Sequence, residues 1–356
     1  MEYPFKIQLV EHSRLEGLDL SSLPFGRTFS DHMFTADYKE GRWQNCKIVP
    51  YGPISFNPAM MALHYGQAIF EGMKANISKT TGEPVLFRAE KHFQRINKSA
   101  DRLSMPEIPK EIFMNGLHTL VSIDKNWIPQ YEGSALYLRP FFFATDEFLG
   151  VRASDTYHFM ILACPVGPYY PKPVSILVAQ KYVRAFPGGM GFAKAAGNYA
   201  MSMKPAKIAN SEGYDQILWL DGIEFKYIQE CGTMNIFAVV GNTVLTPPTG
   251  DTILDGVTRD SAIQLLRAMG KKVEVRPIEV NELIEAHKNG TLKEMFGTGT
   301  AAVVSHVRNI AYKGVDYSLP AIEGRKIGPV LKKALEDYKN DVVEDTMGWI
   351  TPVKGT

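Results

Sequence analysis

Cysteine is scarce in this chain of 356 residues. The three cysteines, Cys46, Cys164 and Cys231, are far apart and form no C-x-x-C pair. This spacing indicates neither a disulfide framework nor a zinc knuckle, and it fits a reducing compartment, so we expect a cytoplasmic protein. The eight histidines show no H-x-H or H-x-x-x-H spacing, so we expect no metal centre.

A strong net charge and long apolar runs are also absent. The chain has 39 Lys and Arg against 38 Asp and Glu, which gives a formal net charge of +1 at pH 7. Such a charge creates no global field that would attract nucleic acid or an anionic membrane. No segment has the roughly 20 apolar residues of a membrane span, and the first residues lack the pattern of a signal peptide. We therefore expect a soluble protein whose partners are small molecules or a second copy of the chain.

The apolar content is that of a globular protein with two domains. Hydrophobic residues make up 45% of the chain, which is enough to bury two ordinary cores. The stretch PVGPYYPKP is rich in proline, which fixes φ and lacks a donor N–H, so it can continue neither a helix nor a central strand. We place a linker there, at residues 165–174, between an N-terminal domain at residues 1–164 and a C-terminal domain at residues 175–356.

Apolar periodicity predicts a different fold for each half. In the first half, strands accompany helices at about residues 89–103 and 110–127, which indicates an α+β domain. In the second half, many short strands are joined by tight turns, with a few helices between them. This pattern predicts a barrel-like sheet with outer helices.

Lys194 is the most informative residue because it lies in FAKAAGNYA, among alanines and a glycine, with Tyr199 five positions later. Small neighbours let the backbone approach a flat ligand. A partly desolvated lysine loses its proton more easily and can attack a carbonyl. The alternative from the residues alone is a solvated lysine in an Ala/Gly turn.

Three further segments have the composition of ligand-binding turns. Glu230, in QECGTMNIF, ends a predicted strand, where a carboxylate can pair with a heteroaromatic nitrogen or simply lie in solvent. In ILDGVTRDSAIQLL, a helix beginning at Val257 and Thr258 offers N–H donors to a phosphate, unless Thr258 is only the cap. FGTGTAAVV fits a G-x-G-x-x-A dinucleotide pattern, but no helix follows it. We therefore interpret it as a Gly/Thr turn that binds an anion through Thr300.

These motifs, in this order, resemble those of the fold-type IV pyridoxal-phosphate enzymes, and specifically the branched-chain amino-acid aminotransferases. The resemblance extends through the first half, in the segments LHYGQAIFEGMKA (63–75), FQR (93–95), SALYLRPFFF (134–143), FLGV (148–151) and VGPYY (166–170). It covers nearly the whole chain with several independent motifs. It implies a smaller N-terminal α/β domain, a larger C-terminal domain with a barrel-like sheet and outer helices, and a homodimer.

The resemblance implies pyridoxal 5′-phosphate as the cofactor. Lys194 would form its Schiff base and move the proton between Cα and C4′, Tyr199 would bond the phenolate oxygen, and Glu230 would bond the ring nitrogen. The residues implied near the phosphate and the rest of the cofactor are Arg95, Val257, Thr258, Thr300, Arg184 and Thr233.

The resemblance also implies a substrate pocket. Tyr137 and the amides of Thr300 and Ala301 would bind the α-carboxylate, and Phe70 and Tyr65 would form apolar walls. The implied reaction moves an amino group between leucine, isoleucine or valine and 2-oxoglutarate, forming glutamate and a branched 2-oxo acid.

A second set of implied roles concerns glutamate and the neighbouring subunit. Arg139, on the same strand face as Tyr137, would meet the distal carboxylate of glutamate. Tyr65, Leu149 and Val151 would reach into the site of the other subunit. Ala302 and Ser305 stand where some members have a C-x-x-C redox pair, so we expect no thiol switch at that turn.

Two alternatives belong to other functional classes. A noncatalytic binding protein with a basic cleft would account for Arg95 and Arg139, but not for the lysine, the glutamate and two phosphate-type turns. A nicotinamide-dependent oxidoreductase would rest on GTGTAA alone. Within the fold type, D-amino-acid transaminases and aminodeoxychorismate lyases are near alternatives, which the segments LHY, FEGMKA and YLRPFFF disfavour.

Overall fold

The computed structural model describes residues 3–169 and 172–354. These residues form two compact units. The described parts of the first unit are 3–169, 193–197 and 337–354, and those of the second unit are 172–192 and 198–336.

The regular elements are numbered in chain order. The strands are β1 Lys6–Ile7, β2 His32–Lys39, β3 Arg42–Pro50, β4 Ala68–Phe70, β5 Met73–Ile77, β6 Pro84–Phe87, β7 Ala135–Ala144, β8 Tyr157–Val166, β9 Val174–Val178, β10 Gln216–Leu220, β11 Ile228–Cys231, β12 Met234–Val240, β13 Thr243–Thr246, β14 Lys272–Val275, β15 Leu292–Gly299, β16 Val303–Tyr312, β17 Val315–Ser318 and β18 Ile350–Pro352. The α-helices are α1 Met61–Tyr65, α2 Ala89–Arg102, α3 Lys110–Ile123, α4 Ala196–Ser211, α5 Val257–Ala268, α6 Val280–Lys288 and α7 Gly328–Lys339.

The first unit is built on one sheet with the strand order β1-β3-β2-β8-β7-β5-β6-β18, and β4 pairs with β7. Its core contains large aromatic rings, including Phe34 and Phe159, whose centroids are 5.9 Å apart. Helix α3 approaches this sheet closely at Gly116, where a Cβ would lie 2.9 Å from the ring of Phe34. A glycine is therefore needed at this point of the helix for space rather than for backbone freedom.

The C-terminal residues belong to the first unit, and this corrects the predicted division. Strand β18 pairs with β6, with Ile350 opposite Phe87, and the rings of Phe87 and Trp349 meet edge-on at 5.7 Å. Residues 337–354 therefore do not extend the C-terminal domain predicted at residues 175–356. Pairing between segments so far apart in the sequence leaves no local pattern from which it could be predicted.

The short segment 193–197 also belongs to the first unit, although the predicted boundary placed it in the second. Ala195 forms a β-bridge with Ile69 of β4, which fastens the segment to the first sheet. Residues 170 and 171 of the predicted linker lie outside the described residues.

The second unit contains a closed barrel of six strands. The order is β11-β10-β9-β16-β15-β12, and β12 pairs again with β11 to close the ring. Buried side chains such as Ile176, Leu218, Ile236 and Met295 form its core. The predicted barrel-like sheet is thus confirmed. None of the helices within residues 3–169 and 172–354 combines the length and the apolarity that a membrane-spanning segment needs.

We predict that the stability of the barrel depends on Ile176, which is 0% exposed. Replacing Ile176 with alanine leaves a cavity and should lower the free energy of unfolding by about 2–5 kcal/mol. The matched control is Val315→Ala, at a site that is 50% exposed, where a change within about 0.5 kcal/mol is expected. Denaturant unfolding of both variants measures the difference. Equal, small changes would contradict a closed and tightly packed barrel.

Candidate active site

The structure divides the predicted site residues between the two units. The first unit contains Tyr65, Phe70, Arg95, Tyr137, Arg139, Leu149, Val151 and Lys194, and the second contains Arg184, Tyr199, Glu230, Thr233, Val257, Thr258, Thr300 and Ala301. In each unit, several of these residues meet in a hydrogen-bonded cluster. The lysine cluster of the first unit comprises Phe70, Glu71, Arg95, Ser99 and Lys194, and the glutamate cluster of the second comprises Arg184, Glu230, Asn235, Leu254 and Gly256.

Lys194 is held in the first unit by its main chain. Its carbonyl accepts a hydrogen bond from the N–H of Phe70 at 3.0 Å. Its own N–H donates to Oγ of Ser99 at 2.9 Å, and that hydroxyl donates to the carbonyl of Arg95 at 3.0 Å. The side chain is half-buried, with Nζ 4.9 Å from the ring centroid of Phe70. The main chain of Lys194 is therefore attached to β4 and α2, and its side chain is only partly exposed.

Arg95 is oriented by a buried carboxylate. Its Nε and one terminal nitrogen donate to Glu71 at 2.6 and 2.8 Å, and Nδ1 of His92 lies 2.8 Å from the same carboxylate. Burial alone would raise the pKa of Glu71, but Arg95 and His92 outweigh it and hold this pKa well below its usual range. Burial also lowers the pKa of His92, so a neutral ring donates its Nδ1–H to Glu71. Neither Glu71 nor His92 was predicted, because a buried partner for Arg95 has no signature in a single sequence.

Tyr137 and Arg139 lie on one face of β7, as predicted. A terminal nitrogen of Arg139 donates to the Tyr137 hydroxyl at 3.0 Å, and the guanidinium lies 4.6 Å from the ring centroid of Phe70. Nε of Arg139 is buried and has no hydrogen-bond partner among the described residues. A buried donor without a partner is unfavourable, so the guanidinium of Arg139 retains hydrogen-bonding capacity that the described residues do not use.

Two neighbours of Tyr137 were not predicted. Gly72 leaves room for its hydroxyl, since a Cβ at this position would lie only 2.1 Å from that oxygen. Phe25 packs edge-on against the Tyr137 ring at 5.1 Å. Both contacts join distant parts of the chain, and only the position of Gly72 within the FEGMKA segment could have drawn attention to it.

Tyr65, Leu149 and Val151 lie at the surface of the first unit and are 41%, 66% and 87% exposed. Exposed apolar side chains of this size, when clustered, are typical of a protein–protein interface. An open, mainly apolar cavity of about 520 Å³ also lies in the first unit, and its lining includes Phe56, Met60, Leu63, Phe141 and Phe143.

Glu230 is buried on β11, 4% exposed, and hydrogen-bond donors surround its carboxylate. Oε1 accepts from the N–H of Leu254 at 3.0 Å and from Nδ2 of Asn235 at 3.2 Å, and Oε2 forms an ion pair with Nε of Arg184 at 2.8 Å. Donors favour the ionised form of a carboxylate. The alternative of a solvent-exposed glutamate is therefore wrong, and the buried anion is suited to pair with a protonated ring nitrogen.

Arg184 is fixed by further contacts in the second unit. A terminal nitrogen donates to the carbonyls of Gly191, at 3.0 Å, and of Thr252. The structure therefore gives Arg184 a clear role as a partner of Glu230.

Tyr199 is half-buried in the first turns of α4, and Thr233 is exposed in the turn between β11 and β12.

The N-terminus of helix α5 has the features of an anion-binding helix end. Its N-cap residue is Gly256, which has no side chain to bond the first-turn N–H groups. Val257 and Thr258 are the first helical residues, so the alternative that Thr258 is the cap is wrong. Uncapped N–H groups at the positive end of a helix dipole are suited to bind phosphate.

Thr300 and Ala301 lie in the turn of an antiparallel hairpin. Strands β15 and β16 pair on either side of it, with Gly299 opposite Val303. The GTGTAA segment therefore belongs to a β-hairpin and not to a β-α-β unit, which agrees with the rejection of the dinucleotide-binding interpretation.

The cysteines are buried, and the residues that the structure describes contain no group of three or more His, Cys, Asp or Glu that could hold a metal ion. Burial raises the pKa of Cys46 and of Cys164 to about 11, and that of Cys231 to about 12. These groups are therefore protonated thiols at neutral pH, and a protonated thiol is a poor nucleophile.

Comparison with known proteins gives consistent results. A model of the family described as Amino-transferase class IV matches residues 68–310. The branched-chain-amino-acid aminotransferase 2 of Bacillus subtilis (strain 168) is 47% identical over 339 residues, covering 94% of this chain and 93% of that protein.

Solved structures are similar over the same length. The branched-chain amino acid aminotransferase from Escherichia coli has a TM-score of 0.72 and 26% identity, covering 91% of this chain and 99% of that one. The T.th. branched-chain amino acid aminotransferase, complexed with N-(5′-phosphopyridoxyl)-L-glutamate, has a TM-score of 0.69 and 25% identity, covering 90% and 98%.

We predict that ionised Glu71 stabilises the folded protein at neutral pH and that acid, by protonating it, removes this stabilisation. Removing one partner of a buried ion pair reduces stability by about 3–5 kcal/mol. Glu71→Gln should therefore lower the free energy of unfolding at pH 7 by about that amount. The folded pKa of Glu71 is depressed, so the difference should persist above the ordinary glutamate range near about 4.3 and shrink at lower pH.

Denaturant unfolding at neutral and acidic pH tests this. The matched control is Glu40→Gln, which removes an exposed carboxylate 3.7 Å from Arg42. It should change stability by less than about 1 kcal/mol at any pH. A Glu71→Gln difference that stayed constant into strong acid would contradict the buried ion pair.

Proposed function

Because this chain belongs to the class IV aminotransferase family, we propose that it moves the amino group between leucine, isoleucine or valine and 2-oxoglutarate. The predicted family, fold type and enzyme class are confirmed. The predicted cofactor, pyridoxal phosphate, is the cofactor of this family, and the structure of the T.th. aminotransferase contains a phosphopyridoxyl group. The observation that carries the proposal is a half-buried lysine on a fixed main chain together with a buried glutamate surrounded by donors.

The residues fit this cofactor. Pyridoxal phosphate, when bound, supplies a carbonyl carbon that reacts with amines and a ring that withdraws electrons from the substrate Cα. We propose that Nζ of Lys194 would hold the cofactor at that carbonyl carbon, with loss of water, and would hold and return the proton of Cα once the substrate amine has displaced it. The fixed main chain limits the positions that Nζ can reach, which favours proton transfer at one atom.

The glutamate cluster would bind the ring. Ionised Glu230 would accept a hydrogen bond from the protonated ring nitrogen, Arg184 would hold the Oε2 side of that carboxylate, and Tyr199 would donate to the phenolate oxygen. Thr233 would lie near the ring. The hydrogen bonds and the ion pair that hold Glu230 and Arg184 support the roles proposed for these two residues.

The phosphate would be bound by charge and by N–H groups. Arg95 would supply the charge, since Glu71 keeps its guanidinium in a fixed orientation. The first-turn N–H groups of Val257 and Thr258 and the hydroxyl of Thr300 would supply hydrogen bonds.

The substrate would contact Tyr137 and the amides of Thr300 and Ala301 through its α-carboxylate. Phe70 and Tyr65 would provide apolar walls for a branched side chain. The partner-free Nε of Arg139 supports its proposed role with the distal carboxylate of glutamate.

We further propose that the enzyme is a cytoplasmic homodimer. The exposure of Tyr65, Leu149 and Val151 supports an interface there, since such residues are usually covered. A C2 dimer would place the same residues of each copy at the site of the other. Three buried thiols are compatible with the reducing compartment expected from the cysteine content.

The proposed role of Lys194 is tested by its removal. Lys194→Ala should fold but lose transamination of leucine with 2-oxoglutarate by several orders of magnitude, because one residue supplies both nucleophile and base. Lys204→Ala, on the exposed face of α4, is the matched control and should retain activity. Near wild-type turnover by Lys194→Ala, without added amine, would falsify the assignment.

Arg139 should discriminate between the two substrates. Arg139→Ala is expected to slow the half-reaction with glutamate by about tenfold to a hundredfold more than that with leucine, because leucine has no distal charge. Arg139→Gln, which retains bulk, separates the loss of charge from a packing defect. Rapid-mixing kinetics of each half-reaction measure the ratio, and equal losses for both substrates would rule out the role.

A further inference from the structure

The buried side chain of Asn235 connects Glu230 with the loop before α5. Asn235 lies on β12 directly opposite Glu230 on β11, so both side chains are on the same face of the barrel. Its Nδ2 donates to Oε1 of Glu230 at 3.2 Å and to the carbonyl of Leu254 at 2.9 Å. Both partners are acceptors, so the amide must present its nitrogen to them, and its orientation is fixed.

Leu254 closes this set of hydrogen bonds. Its N–H donates to the same Oε1 at 3.0 Å, while its carbonyl accepts from Asn235. Oε1 therefore has two donors in defined positions, and rotation of the carboxylate would break both bonds. The orientation of Oε2, which faces Arg184, follows from them.

Gly256 makes room for the amide. A Cβ at Gly256 would lie 1.9 Å from Oδ1 of Asn235, although its φ of −69° is open to any residue. The glycine is thus required for space. Gly256 is also the N-cap of α5, so the same amide contacts the start of the helix proposed to bind phosphate.

We propose that Asn235 is a positioning residue that keeps Glu230 ionised and oriented toward the ring nitrogen of the cofactor. The inference rests on the proposed function and deepens it. Hydrogen bonds to a carboxylate favour its charged form. An ionised and oriented Glu230 keeps the ring nitrogen protonated, and this protonation makes the ring an effective electron acceptor.

The sharpest variant is Asn235→Asp, which preserves shape and replaces the donor by a second carboxylate. Two carboxylates at hydrogen-bond distance cannot both ionise readily, so the pair would share a proton and Glu230 would lose its full charge. Asn309→Asp is the matched control. Nδ2 of Asn309 also donates to a carboxylate, that of Asp316 at 2.9 Å, but at an exposed position.

The experiment uses the full-length enzyme loaded with pyridoxal phosphate that carries ¹⁵N at the ring nitrogen. Wild type and Asn309→Asp should give the ¹⁵N chemical shift of a protonated ring. Asn235→Asp should move this shift toward the unprotonated value and reduce kcat with leucine by about tenfold to a hundredfold, with KM changed by less than about threefold. Gly256→Ala, which displaces the amide by steric contact alone, should move the shift in the same direction.

Two results would overturn the proposal. One is a ring-nitrogen shift in Asn235→Asp that equals that of wild type. The other is loss of folding or of cofactor binding in both Asn235→Asp and Gly256→Ala, measured by circular dichroism and cofactor retention, because Asn235 would then be a structural residue only. If wild type itself bound no pyridoxal phosphate, the proposed function would fail and this inference with it.

Discussion

The main-chain attachment of Lys194 to the first sheet is the constraint on which the proposed chemistry depends. Residues 193–197 leave the second unit to join the first, where Lys194 accepts from Phe70 and donates to Ser99. Ser99 lies one turn after Arg95 on α2, so a single helix holds both the main chain of the lysine and the arginine proposed to bind phosphate. The long side chain of Lys194 lets Nζ extend away from the main chain, while the main-chain hydrogen bonds restrict the position of Cα.

Paired buried charges prepare both clusters for a charged ligand. Glu71 is neutralised by Arg95, and Glu230 by Arg184, so neither of these two carboxylates is an isolated buried charge, which would be very unfavourable. The arginine and the glutamate of the two clusters are then oriented before any ligand binds, which reduces the entropy lost on binding. Arg139 differs, because its Nε is buried without a partner among the described residues.

Much of this arrangement could be predicted from the sequence, because it depends on local patterns. The strand at Ala135–Ala144, the helix beginning at Val257 and the turn at Thr300 all follow from periodicity or from turn-forming residues. What could not be predicted are partners from distant segments. The pairing of β18 with β6, the carboxylate of Glu71 beside Arg95 and the amide of Asn235 beside Glu230 arise only when the chain has folded.

Lys194 is the residue proposed to bind the cofactor covalently. The most direct test of this role is borohydride reduction of the protein loaded with pyridoxal phosphate, followed by proteolysis and mass spectrometry of the peptides. We expect one phosphopyridoxyl group per chain, on the peptide that contains Lys194, and a loss of the visible absorbance of the bound cofactor. A label on another lysine, or no covalent label despite bound cofactor, would contradict it.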